Sequence, residues 1–342
     1  MRPIARFALI VSLLAAACGP TAPQGPAAAP SPGASATPAK IQTLTISLPS
    51  QSATSASLQI AERQGFFAKY GLHLEFTLHS GGPPALQALL ADASQATIQI
   101  TGTVFSAYAN GADVVIVAGS QSDPDYQLYA RSEITTAKGL TGKRIATADP
   151  GSEFNTILKK TLVGYGVPAD GYDPVNVGSS GQRLAAVVAG AADATLLSAP
   201  QSFDAEAKGL RHLGSSAEAV PKYMFTVLAM RRDWARANKD TVVSLIRGDQ
   251  DALEWMDKPE NRSAVIKHLT EITGASADAA TKTYDLYLAG AQRGKVYPKS
   301  AQVDRAGVDA VLAIMNEAGL LKKVVKVDDV VDFSYVELAS KR

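Results

Sequence analysis

The sequence predicts an α/β fold of two similar lobes, each a mainly parallel sheet flanked by helices, with a ligand cleft between them. From Lys40 onward, apolar runs of strand length alternate with amphipathic stretches of helix length, the pattern of parallel strands covered by helices. The alternation then restarts. Displaced by 98 residues, "HSGGPPALQALLADASQATI" (79–98) lies on "VGSSGQRLAAVVAGAADATL" (177–196) without a gap. The totals agree with a chain of more than one core. Its 342 residues suggest about two domains, and 46% hydrophobic against 19% charged residues is a globular composition.

Taken in order, the first lobe opens with a strand at "TLTISLP" (43–49) and a helix over "ASLQIAERQGFFAKYG" that stops at Gly71. A strand "LHLEFTL", a helix "PPALQALLAD", a strand "ATIQIT", a helix around "FSAYANG" and a buried strand "DVVIVAG" (113–119) follow. The second lobe repeats the plan with "KRIATAD", "SEFNTILKKTLVGYG", "DPVNV", "QRLAAVVAG" and "DATLLS". Leu86/Leu184, Ala88/Ala186, Ala91/Ala189, Ala93/Ala191, Ala96/Ala194 and Thr97/Thr195 coincide in the repeat. In so Ala-rich a chain the shared order of strand, turn and helix says more than the identities. "ISLPSQSA" (46–53) meets "IATADPGS" (145–152) one residue out of that register. "EAVPKYMFTVLAMRRDW" (218–234) returns the chain to the first lobe as a strand from about Tyr223. Helices follow over "DTVVSLIRGDQDALEWMD", "NRSAVIKHLTEITG", "ADAATKTYDLYLAG" and "DRAGVDAVLAIMNEAGLL", then a docked tail, "VVDFSYVELASK". Leu253, Trp255 and Tyr284 stand at helical spacing and read as core, not as a cofactor stack.

The N-terminus, "MRPIARFALIVSLLAAACGP", has Arg2 and Arg6 before an apolar run from Phe7 to Ala17. That run is too short to span a bilayer core of about 30 Å, and is expected to direct export. Ala15-Ala16-Ala17 lead into Cys18, the single cysteine, and the stretch resembles a bacterial lipobox, which implies lipid on Cys18. It departs from that pattern in placing Leu14 four residues before the cysteine and not three. Ordinary cleavage beside an incidental cysteine is the alternative. The Pro/Ala-rich stretch from Gly19 to Lys40 has no face to bury and reads as a tether.

Net charge is about +1, from 33 Lys and Arg against 32 Asp and Glu, so nothing recruits nucleic acid. One cysteine makes no internal disulfide. His73, His79, His212 and His268 show no metal-ligand spacing. No metal and no cofactor is expected.

"AERQGFFAKYGLHLEF" (61–76), "GGPPALQALLA" (81–91), "GADVVIVAG" (111–119), "KGLTGKRIATADPGS" (138–152), "VAGAADATLLSAP" (188–200), "RRDWARANKD" (231–240) and "VVDFSYV" (330–336) together resemble the substrate-binding proteins of bacterial ABC importers. The branch is that of the sulfonate, taurine, nitrate and thiamine-precursor binders, and the resemblance runs from about residue 42 to 337. It implies a type II periplasmic-binding-protein fold that closes on a solute like a hinged trap, with crossings at 121–130 and about 217–227. Residues 1–18 would be the lipoprotein signal, 19–40 the tether, 41–125 plus 223–342 the first lobe, and 126–222 the second. One departure is local: the Gly-x-x-Asp that usually precedes the third strand is Asp92-Ala93-Ser94-Gln95 in the first lobe, whereas the second keeps Gly190 and Asp193.

Open α/β sheets bind ligands beyond the carboxyl ends of their strands. The candidate ligand-binding residues are therefore Ser50, Gln51 and Ser52; Ser80, Gly81 and Gly82; Thr101, Gly102 and Thr103; Asp149, Pro150, Gly151, Ser152 and Phe154; and Ser198, Ala199 and Pro200. Such turns offer free backbone donors and small side chains. Ser152 reads equally as a helix N-cap, and Phe154 equally as packing. Apart from Arg183, just inside a helix start, no basic residue lies in these turns, and Asp149 and Glu153 oppose a second negative charge. A small polar solute, singly anionic, amine-bearing or heteroaromatic, is expected, and not a phosphate.

The resemblance implies an exported, lipid-anchored monomer facing the periplasm or cell exterior. It would deliver its solute to an ABC permease with a cytoplasmic ATPase. A tethered sensor or surface-interaction lipoprotein is the alternative. Enzymes of pyrimidine or menaquinone-precursor synthesis share the fold, but the chain lacks the Cys/His cluster of the first and any Gly-x-Ser-x-Gly elbow, so no catalytic residue is expected.

Overall fold

The structure, a computed structural model, describes residues 41–148, 150, 152–220, 223–289 and 296–341. Cys18, the export segment and the tether lie outside the described residues, as do Asp149 and Gly151. No helix among the described residues is long and apolar enough to cross a membrane.

The first lobe runs β1 (Gln42–Leu48), α1 (Ala56–Arg63), β2 (Leu72–Leu78), α2 (Gly82–Leu90), β3 (Ala96–Ile100), α3 (Thr101–Ala109) and β4 (Val114–Gln121). The second runs β5 (Gln127–Ala130), β6 (Arg144–Thr147), α4 (Glu153–Gly164), β7 (Asp173–Asn176), α5 (Ser180–Val188), β8 (Ala194–Leu197), α6 (Gln201–Ala207) and β9 (Arg211–Ser215). The chain then re-enters the first sheet as β10 (Thr226–Arg231). After it come α7 (Arg232–Ala237), α8 (Lys239–Met256), α9 (Arg262–Thr273), α10 (Ala277–Tyr284), α11 (Arg305–Glu317), α12 (Val327–Val330) and α13 (Ser334–Ser340).

Two five-stranded sheets result, in orders β2-β1-β3-β10-β4 and β7-β6-β8-β5-β9. In each, the strand in fourth place runs against the rest: β10 is antiparallel to β3 and β4, and β5 to β8 and β9. Each reversed strand is reached directly from the edge strand of the other sheet, β4 leading to β5 and β9 to β10. The sheets are therefore laced together by two short crossings.

The repeat is structural as well as textual. At a displacement of 98, α2 falls on α5 end to end and β3 starts where β8 starts. The buried hydroxyls of Thr97 and Thr195 do the same work, donating to Ser47 O at 2.9 Å and Ala146 O at 2.8 Å in the neighbouring strand. The departure at 92–95 preserves this geometry. Asp92 takes φ +65° where Gly190 takes +74°. Gln95 Oε1 accepts from Thr45 N, and Asp193 Oδ2 from Arg144 N, both at 2.9 Å. The longer amide reaches the same donor as the shorter carboxylate.

Two details differ from the sequence reading. The first helix ends at Arg63, and Phe67–Tyr70 forms a separate 3-10 turn that closes on Gly71 at φ +71°. β3 also passes into α3 with no turn, so Thr101 is helical. Its N–H donates to Phe225 O at 2.9 Å and its hydroxyl to Met224 O at 2.6 Å. The later helices complete the first lobe: α8 lies along α1 and α13, burying Val242, Leu245 and Ile246 against Leu58 and Ile60. Tyr284 is 3% exposed in that core, while Trp255 lies at its edge against Phe66.

Candidate functional site

Where the carboxyl ends of the two sheets face each other, the lobes enclose a cleft of about 790 Å³, mouth included. Pro49, Ser50, Ser52 and Thr54 approach it after β1, Gly81 and Gly82 at the start of α2, and Gln99 from β3. The second lobe supplies Ala148, Ser152 and Phe154 after β6, Gly178, Ser179, Ser180 and Arg183 around the start of α5, and Ser198 after β8. Tyr126, Phe225 and Thr226 come from the crossings.

Of the predicted residues, Ser50, Ser52, Gly81, Gly82, Thr103, Ser152, Phe154 and Ser198 line this cleft. Gln51, Ser80 and Pro150 are exposed and are not among its lining residues. Thr101 and Gly102 are turned to packing between the elements: the Gly102 N–H donates to the carboxyl of Glu153 on the opposite lobe. Ala199 and Pro200 lie behind Ser198, with the Ala199 N–H donating to Asp125 Oδ2 at 2.8 Å. Asp149 and Gly151 are outside the described residues. Ser152 does cap α4, accepting from Phe154 N at 3.3 Å, and Phe154 is 1% exposed within an aromatic floor.

The residues missed are instructive. Moved by the repeat's own 98, Ser80-Gly81-Gly82 becomes Gly178-Ser179-Ser180, which lines the cleft at the start of α5. That signal was available. There Ser179 and Gln182 form a capping box, the Gln182 side chain accepting from Ser179 N at 2.8 Å. Tyr126, Phe225 and Thr226 carried no such signal, because they enter from the crossings.

Arg183 sets the electrostatics. It is only 3% exposed, and its guanidinium stacks on Phe154 with Cζ 3.8 Å from the ring centre. It donates to Gly178 O and, at 3.4 Å, to Leu196 O. Its Nε is buried with no acceptor, as are Ser180 Oγ and Thr226 Oγ1. Burial lowers the guanidinium to about 10, partly offset by the Tyr126 hydroxyl beside it, so it stays charged at neutral pH. Burial likewise pushes the Tyr126 phenol up, against the pull of Arg183. Tyr126 meets Phe154 and Phe225 edge-on at 5.2 and 5.1 Å, forming an apolar floor under the cation. No Asp or Glu stands among the described lining residues. A buried cation with an unused donor and no counter-charge among the described lining residues suits one negative charge supplied from outside.

Glu153, between the lining residues Ser152 and Phe154, is different. It is 1% exposed; Oε2 accepts from Gly102 N, and Oε1 has no partner. The starts of α3 and α4 favour an anion by about 0.3–1 kcal/mol each, but burying a carboxylate costs several kcal/mol. Burial wins and raises the carboxyl well above its usual range. Among the described residues, no group of three or more His, Cys, Asp or Glu converges as a metal site.

Two laced α/β lobes around a cleft at their strand ends define the periplasmic-binding-protein class of fold. Within it, the chain belongs to the NMT1/THI5-like family, whose model matches residues 52–282. It is 24% identical over 291 residues to the putative binding protein YtlA of Bacillus subtilis (strain 168), covering 82% of this chain and 85% of that one. The alkanesulfonate-binding protein SsuA of Xanthomonas axonopodis pv. citri, bound to MOPS, superposes with TM-score 0.70 at 23% identity, over 87% of this chain and 99% of that one. The periplasmic nitrate-binding protein NrtA of Synechocystis PCC 6803 does so with TM-score 0.74 at 16% identity, over 88% and 89%. The fold also serves catalysis, since the desulfurization enzyme DSZB superposes with TM-score 0.62 at 18% identity, over 87% and 98%.

Proposed function

We propose that this protein is the extracytoplasmic solute-binding component of an ABC importer. It captures a small polar solute bearing one negative charge between its lobes and delivers it to a membrane permease. The observation that carries the solute's charge is Arg183, buried in the cleft with Nε lacking an acceptor and no carboxylate among the described lining residues. Ser180 and Thr226, each with a hydroxyl oxygen lacking a partner, would complete the acceptor's surroundings. The importer reading is supported by the binding-protein names of YtlA, SsuA and NrtA. Ser50, Ser52, Gly81, Gly82, Thr103, Ser152, Phe154 and Ser198 would contact the rest of the solute. The lobes would be 41–125 plus 223–342 and 126–222, hinged at the two crossings. Export, lipid on Cys18 and the tether over 19–40 belong to the same reading, as does a monomeric state.

We infer no catalysis, since the described lining residues include no Cys, His, Asp or Glu to serve as nucleophile or base. The test is a thermal-shift panel of sulfonates, taurine, nitrate, bicarbonate, amino acids, carboxylic acids, phosphates and neutral pyrimidines. A singly charged anion at 100 times its dissociation constant should stabilise the protein by about 2.7 kcal/mol. A response to neutral pyrimidines or phosphates alone would reject the charge assigned to the solute.

A further inference from the structure

Glu153 joins the two walls of the cleft without being one of its lining residues. Its carboxyl, on the first residue of α4, accepts from Gly102 N–H in the first turn of α3, across the lobe boundary. Their chain neighbours Ser152, Phe154 and Thr103 line the cleft itself. The fit is close. A Cβ on Gly102 would run into the Glu153 carboxyl and lie 2.8 Å from Met315 Sδ of α11. Glu153 is only 1% exposed, with Oε1 lacking any partner. In an opened cleft the same carboxyl would stand in water.

We propose that Glu153 is a proton-linked latch between the lobes: closing the cleft takes up one proton on its carboxyl, and opening releases it. This rests on the hinged-trap reading given above.

The surrounding charges leave the latch uncompensated. On α4, Lys159 pairs with Asp170 at 3.0 Å and Lys160 with Glu317 of α11 at 2.7 Å. On α11, Arg305 pairs with Asp328 at 2.5 Å, Asp304 caps the helix and Asp309 is exposed. Tyr108 of α3 lies under Lys323. Arg183 of α5 is turned to Gly178, Phe154 and Tyr126. Tyr126 is the phenol whose ionisation feels Glu153. None of the described ion pairs of these elements includes Glu153. Its burial, opposed only by the Gly102 N–H, raises its carboxyl well above the ordinary range and so favours the protonated form when the lobes meet.

The sign follows. The closed form binds the proton more tightly than the open form, so closure is favoured as pH falls and weakened as pH rises. The window opens upward from the ordinary carboxyl value of 4.5. Inside it the ratio of closed to open protein should change by up to about tenfold per pH unit, the slope for one proton.

The test is small-angle X-ray scattering of the solute-free protein from pH 8 to pH 5, with 13C NMR titration of the Glu153 carboxyl. Wild type should become more compact as pH falls. E153Q, permanently neutral, should be compact throughout, and G102A, with its added Cβ against Glu153, should stay extended. A wild-type envelope that does not respond to pH, or a response that survives unchanged in E153Q, would overturn the latch. If E153Q fails to fold, the wild-type titration decides: a midpoint in the ordinary carboxyl range also overturns it. Neither readout uses a solute, so a failed thermal-shift panel would reject the receptor reading without deciding this one.

Discussion

Three buried charged or ionisable side chains do unlike work. Arg183 remains a cation because stacking on Phe154 and the Tyr126 hydroxyl offset part of its desolvation. Glu153, at the lobe boundary, has its carboxyl pushed up by burial. Asp249, on α8, is 6% exposed and not among the cleft's lining residues, with Oδ1 unpartnered. Burial pushes Asp249 up from 3.8 to about 7, against the hydrogen bond from Ser57. The folded state therefore holds its proton more tightly than the unfolded chain. The stability this contributes is complete below pH 3.8 and is lost as pH rises through about 7. The difference is on the order of 4 kcal/mol. In urea denaturation D249N should flatten the fall in stability between pH 5 and pH 7; an unchanged slope would assign that fall to other groups. None of this was legible in the sequence, where Arg183 was one basic residue near a helix start and Glu153 one acid in a first turn. Their states depend on burial by residues remote in the chain.

At the scale of elements, the alternation of strands and helices was open to reading because local pattern sets it. The apolar runs of β1, β3 and β4 and the caps of α4 and α5 are short-range signals. The repeat gave more than the order of elements. It pairs Thr97 with Thr195 in one hydrogen-bonding role, and Gln95 with Asp193 in another. T97V and T195V should each cost about 1 kcal/mol and should add in the double variant, since the sites lie in separate sheets. Urea midpoints check this, and a large cost at one site beside none at the other would break the equivalence. The reading failed where an element's end depends on tertiary contact. Thr101-Gly102-Thr103 has the composition of a turn, yet Met224 and Phe225 supply carbonyls that accept from Thr101 and let α3 begin at once.

At the scale of the molecule, the exchange of reversed strands makes each lobe depend on the other's chain. β5 completes the second sheet directly after leaving the first, and β10 completes the first after leaving the second. The crossings are consequently short, and they bring Tyr126, Phe225 and Thr226 to the cleft floor. Asp125, beside Tyr126, ties the arrangement together. Its carboxyl accepts from Tyr287 OH at 2.5 Å, from Ala199 N at 2.8 Å and from Gln121 Nε2 at 3.3 Å. Among its described lining residues such a cleft has a cation on the second-lobe wall alone. Ala85 stands in the first lobe where the repeat puts Arg183 in the second, so a solute would enter with its charged end toward α5. The most direct measurement is a calorimetric titration of the panel's strongest singly charged anion into wild type and R183M, with the fold of each checked by thermal melting. Loss of a charge-assisted hydrogen bond of about 1.5–3 kcal/mol predicts roughly ten- to hundredfold weaker binding in R183M. Equal affinity in the two proteins would contradict the account, because the solute would not then be held at Arg183.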